Sequence, residues 1–237
     1  MMKTKLSDEM KKNVHVLIGI IVIILLLAFS SVLFRQNHKF AYADYLDEEV
    51  ISFEGESITL REFGYYIYEL EDFTQKQALK YHPSDPLDYW NTHFSAGIHS
   101  QFVSEMARET AVNKCLGDLV YAAMAQEAGF ELPAEEEAGI RSEADEWYDA
   151  LTQENRKILG IDRATVYRIV QRSHLASAYA YEYSEKADLT GYSGDVATLL
   201  SGGGDYFNDK LLSKYDVRQN TELIEEFPMG RITVNHS

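Results

Sequence analysis

An apolar run from Val14 to Phe34 constrains this chain more than any other feature. As a helix its 21 residues, each rising about 1.5 Å, cover about 31 Å, the thickness of a bilayer's hydrocarbon core. No Asp, Glu, Lys or Arg interrupts the run, and His15 at its edge is its one titratable side chain. Lys3, Lys5, Lys11 and Lys12 precede it, against Arg35 and Lys39 behind it. That bias predicts a cytoplasmic N-terminus (residues 1–13), a single-pass transmembrane signal anchor at 14–34, and an exported remainder. Ala41-Tyr42-Ala43 has the small-x-small form of a signal-peptidase site. The run is longer than a signal core, however, and Ala43 lies nine residues past its end. An uncleaved anchor is therefore the expectation, with cleavage after Ala43 the alternative.

Charge divides the chain the same way. Residues 1–40 carry six Lys/Arg and two Asp/Glu, so the chain's net −16 leaves −20 for the rest. Such a surface repels nucleic acid and anionic headgroups, which excludes a nucleic-acid partner. One cysteine, Cys115, cannot form an internal disulfide, so the fold must stand on its core. Cys115 falls in a helical pattern with Leu116, Leu119 and Val120, which makes it a buried small apolar residue rather than a nucleophile.

Residues 35–49 read as a polar juxtamembrane spacer. Val50 to Leu60 reads as a strand, a Gly-containing tight turn and a second strand. Thr59 with Glu62 predicts a capping box for a helix over 60–81. Phe63, Tyr66, Ile67, Leu70 and Phe73 mark that helix's buried stripe. His82 to Pro86 stops it and leads to Trp90. A long helix is expected over about 95–129, ended by Gly129 as a C′ glycine. An acidic helix follows, with Pro133 near its start and its end near Asn155. Asp162 caps another, running to about Ala187. From Asp188 the composition turns to Gly and Ser, so 188–205 reads as a flexible connector. Tyr206–Tyr215 then forms a short helix, with short strands at Val217 and at Arg231–Asn235, the latter closing on Val50–Leu60.

Two stretches carry a resemblance: the opening "SFEGESITLREF" and the junction "AQEAGFELPAEE". In this order, with "YWN" before the long helix and "YFNDKLLSKYDV" near the end, the chain resembles the SurA/PrsA-like extracytoplasmic folding factors. The likeness covers about 50–187 and 205–218 and is to their N-terminal chaperone domain. It implies a mostly α fold: the transmembrane helix, a helical SurA/trigger-factor-like lobe over 50–187, and a small β element joining its ends with 206–237. It also implies a bacterial cytoplasmic-membrane location. In those proteins a parvulin prolyl-isomerase domain sits where this chain has only 188–205, too short for any domain. The parvulin's catalytic pattern and PrsA's lipid-modified cysteine are absent too, so isomerase activity is not carried over.

No residue set argues for catalysis instead. His93 and His99 are six apart and share no helix face as an i, i+4 metal pair would. Glu135-Glu136-Glu137 fans around a helix rather than converging, and Ser201-Gly202-Gly203-Gly204 lacks the strand and Lys of a phosphate loop. No cofactor or metal is implied. The sixteen tyrosines cluster at Tyr65, Tyr66 and Tyr68 and at Tyr179, Tyr181 and Tyr183. With Trp90, Phe94, Trp147 and Tyr148 these are the candidate peptide-binding residues, since aromatic rings with polar tips suit adaptable contacts. Packing of helix on helix accounts for the same rings equally simply. The expected function is a membrane-anchored, non-catalytic chaperone-like protein for unfolded or exported polypeptides, with a bias toward basic clients. The alternative is a dedicated assembly subunit docking one folded membrane or cell-envelope partner. The tail 219–237 separates the two: ordered, it is scaffold; free, it is a partner-binding arm. No feature defines an oligomeric state.

Overall fold

A two-residue turn sets the first regular structure. In the computed structural model, which describes residues 40–94 and 100–235, strands β1 (Glu49–Phe53) and β2 (Glu56–Thr59) flank Glu54-Gly55. The turn residues have φ of 51° and 84°, the two positive values of a type I′ hairpin that Gly tolerates without cost. The late strand β5 (Val217–Gln219) pairs antiparallel with the other side of β1, so the sheet order is β2-β1-β5. The small sheet thus joins the two ends of the lobe. The strand expected at Arg231–Asn235 does not form, and Val217–Gln219 alone closes on β1.

Helix α1 (Leu60–Tyr81) buries Leu60, Phe63, Ile67, Glu71, Thr74 and Ala78 along one row. Phe73 was expected on that stripe but is exposed. At 100° per residue it lies about 125° from the row. Thr59 is the N-cap but its side chain makes no capping bond. Glu62 instead turns to Arg172, 3.0 Å away, in an ion pair largely shielded from solvent. Asp85 caps α2 (Pro86–Trp90), which seats Trp90 in the core. A short hairpin, β3 (His93–Phe94) with β4 (Gln101–Phe102), precedes α3 (Val103–Glu127). The long helix therefore starts at 103 rather than 95.

The acidic stretch is two helices. Leu151 is extended, at φ −64° and ψ 131°, and Thr152 caps a new turn by accepting from the Asn155 N–H at 3.0 Å. This separates α4 (Glu136–Ala150) from α5 (Gln153–Leu159). Asp162 caps α6 (Arg163–Ser184), as the sequence predicts, by accepting from the Thr165 N–H at 2.7 Å. Helices α1, α3 and α6 enclose the core, and α4 packs on α6.

Residues 188–205 are not a free tether. Helix α7 (Val196–Leu200) buries Leu199 and Leu200, and the Tyr121 hydroxyl donates to the Leu200 carbonyl at 2.6 Å. Gly202 lies so close to α3 that a Cβ there would fall 1.9 Å from the Asn113 carbonyl oxygen. The short helix expected at 206–215 forms, as a π-helical turn (Phe207–Leu211) running into a 3₁₀ turn (Leu212–Lys214). The tail then makes α8 (Thr221–Glu226) and buries Leu223, Ile224, Phe227, Met229 and Ile232. Its anchor is Glu71, fully buried on α1. One carboxylate oxygen accepts from the Gly230 and Ile232 N–H groups (2.6 and 3.1 Å), the other from the Thr233 N–H and hydroxyl (2.5 and 2.6 Å). The tail is scaffold, not an arm.

No helix among the described residues is long and apolar enough to cross a membrane. This corrects the expected fold class, which began with an N-terminal transmembrane helix: the fold supported is mostly helical with a small sheet. The run at 14–34, on which that element rested, lies outside the described residues. The spacer expected at 35–49 contributes to the lobe, since Tyr42 is buried and its hydroxyl donates to the Leu60 carbonyl at 2.9 Å.

Candidate functional site

An open concavity of the lobe begins where α3 ends. Gly129, at φ 65°, closes that helix in a Schellman motif: Phe130 N–H donates to Ala125 O at 2.9 Å and Gly129 N–H to Gln126 O at 3.1 Å. This reversal projects Phe130, Leu132 and Pro133 as the outer wall of an open cleft of about 980 Å³. Ala122, Ile140 and Leu175, from three different helices, give it an apolar floor. Strand β2 supplies the opposite wall through Glu56, Ser57 and Ile58.

Carboxylates fringe this floor. Glu137 is tied to Arg141 at 3.2 Å, and Glu62 to Arg172. Glu56 and Glu131 have no side-chain partner among the described residues, so their charge faces whatever enters. Arg172 is the one deeply seated cation in the lining. Burial works against its charge, but Tyr66, Cys115 and Glu62 outweigh that and hold its pKa above the ordinary value.

Arg172 also links the cleft to a second, smaller groove. Its guanidinium donates to the Tyr66 hydroxyl at 3.2 Å, and Tyr66 donates to the buried Asp118 at 3.0 Å. Asp118 accepts a longer bond from Ser173 at 3.4 Å and lines a groove of about 560 Å³ between α3 and α6. Burial raises the Asp118 carboxyl, against the pull of the Tyr66 bond and the Lys114 and Arg172 charges. Beside this network, burial pushes the Cys115 thiol up to about 12, so it stays protonated at neutral pH and packs as a small apolar residue. Among the described residues no group of three or more His, Cys, Asp and Glu is placed to hold a metal ion.

The ten aromatic residues singled out in the sequence do not converge. Tyr66 and Trp90 are core, and the Trp90 indole N–H donates to Gln75 at 2.9 Å. Tyr65 stacks on Trp147 at 4.7 Å, Tyr68 meets the same ring edge-on at 5.1 Å, and Trp147 donates to Glu69 at 2.6 Å. Tyr148 lies under the guanidinium groups of Arg156 and Arg163. Phe94 is exposed on the β3–β4 hairpin, and Tyr181 is exposed on α6. Tyr183 bonds the Tyr206 hydroxyl at 3.0 Å. None of the ten lines the cleft. Tyr179 backs it, edge-on to Phe130 at 5.5 Å.

The residues that do line it were missed as a site, although their signal is visible. Phe130, Leu132 and Pro133 are three apolar residues in four positions just past a helix-ending glycine, outside any helical period. They lie within the "AQEAGFELPAEE" junction on which the family resemblance leans. Compared with protein-family models, curated proteins and solved structures, the chain matches none. The SurA/PrsA-like resemblance therefore rests on the quoted residues alone.

Proposed function

We propose that the lobe holds segments of other polypeptides in its cleft, as a chaperone-like binder that carries out no bond chemistry. One observation carries this reading: an open cleft of about 980 Å³ with an apolar floor and two unpartnered carboxylates, Glu56 and Glu131, at its margin. Transfer of apolar side chains onto Ile140, Leu175 and Leu132 supplies affinity, at roughly 25 cal/mol per Å² buried. The carboxylates and the surrounding net −20 favour segments with basic flanks, chiefly by speeding association and rejecting acidic competitors.

The test uses the full chain in aggregation assays with several unrelated unfolding clients. Near-stoichiometric suppression of several clients is expected, strongest for basic ones at low salt and lost in Leu132→Glu. Failure with every client would move the assignment to a subunit dedicated to one folded partner. Equal suppression of basic and acidic clients at low salt would remove the charge bias alone.

A further inference from the structure

One wall of the cleft is backbone. Strand β2 has a single neighbour, β1, and is the open edge of the sheet. Bonds on the far side of β1 fix which groups that edge presents. Glu54 N–H donates to Asp216 O and Asn220 N–H to Val50 O, both at 2.9 Å. Even-numbered residues of β1 therefore direct their main chain at β5. Odd-numbered Ile51 and Phe53 direct theirs at β2, opposite Ile58 and Glu56. Ser57 stands opposite Ser52 and so turns its own N–H and C=O out of the sheet. Ser57 is exposed, and it lines the cleft.

We propose that a client segment enters this cleft as an added strand, donating to and accepting from the Ser57 main chain. The inference rests on the reading of the cleft as a polypeptide site and specifies how that site binds. An extended segment along the four residues of β2 covers about 13 Å. Its side chains alternate, one row lying over the apolar floor at Ile140 and Leu175 and the other reaching water, with the Glu56 and Glu131 carboxylates at the cleft margin within reach of long basic side chains. The fitting occupant is a stretch of alternating β-branched apolar and basic residues from another chain. A second copy of this lobe is disfavoured by its own net −20. Main-chain bonds make such binding tolerant of sequence, which a holder of many clients needs.

The test is fluorescence anisotropy of the full chain with a labelled peptide of alternating Lys and Val or Ile. A series of analogues follows, each N-methylated at one backbone amide. N-methylation removes a donor and blocks close strand approach without touching the protein. Affinity should fall about tenfold or more at every second position and stay nearly level between. Ser57→Pro should weaken the unmethylated peptide similarly, because the donor it removes is outside the β1–β2 ladder. A flat response along the series, with binding still lost in Leu132→Glu, overturns strand addition and leaves the cleft reading standing. If no peptide binds at all, the cleft reading and this inference fall together.

Discussion

Replacing Glu71 with Gln tests how the tail is held. The wild-type carboxylate accepts four bonds, from three backbone N–H groups and one hydroxyl, all between 2.5 and 3.1 Å. Gln keeps the shape and one acceptor oxygen, so Gly230 and Ile232 retain their partner. Its amide nitrogen then faces two donors at Thr233. The hydroxyl can rotate to accept, but the Thr233 N–H cannot, and a buried orphan donor costs about 1–3 kcal/mol. The two surviving bonds lose their charge assistance, roughly another 1 kcal/mol in all. The expected destabilisation is about 3 kcal/mol, a large share of a typical domain's stability. Denaturant unfolding should show a lower midpoint at unchanged m-value. Amide hydrogen exchange should rise at Gly230, Ile232 and Thr233 before it rises in α3. A Gln variant within 0.5 kcal/mol of wild type, with those amides still protected, would refute the claim that Glu71 clasps the tail.

Three further predictions concern the lobe. Gly202→Ala forces a Cβ to 1.9 Å from the Asn113 carbonyl oxygen. It should cost more than about 2 kcal/mol in thermal or denaturant unfolding, whereas a loose tether at 188–205 would show almost no change. Gly129→Ala places a side chain at φ 65°. It should lower the melting temperature by about 2–4 °C and weaken peptide binding through misplacement of Phe130. Burial raises the Asp118 carboxyl above its ordinary 3.8. The folded protein thus holds that proton more tightly than the unfolded chain. The associated stability is fully present below pH 3.8 and is lost as pH rises through the folded value. The stability of wild type relative to Asp118→Asn should therefore decline across that window, and a constant difference would contradict the burial argument.

Much of the helical scaffold was legible because it is written in local chemistry. Asp162 before a periodic run and Gly129 after one signal caps, and both act as caps. Glu54-Gly55 between alternating residues signals a hairpin, and it forms one. What the sequence hid depends on distant partners. Glu62 reads as half of a capping box until Arg172, on another helix, claims it. Glu71 and Thr74 look like breaks in an apolar stripe until the tail arrives to bond Glu71. Gly/Ser composition at 188–205 signals freedom, yet the small residues are what allow close approach to α3. The site was misjudged for a related reason. Most of the clustered rings pack helix on helix, with Phe94 and Tyr181 exposed elsewhere, while the cleft joins aliphatic side chains, the Phe130–Pro133 loop and a strand edge brought together only by the fold.

Photo-crosslinking tests the central claim most directly. The probe is the alternating Lys and Val or Ile peptide with one benzoylphenylalanine, irradiated with the full chain and mapped by mass spectrometry. The cleft reading predicts adducts concentrated on Ile58, Phe130, Leu132 and Leu175, competed away by unlabelled peptide. Adducts gathered instead on the exposed Phe94 and Phe102 or on Tyr181, with the cleft residues unmodified, would contradict it.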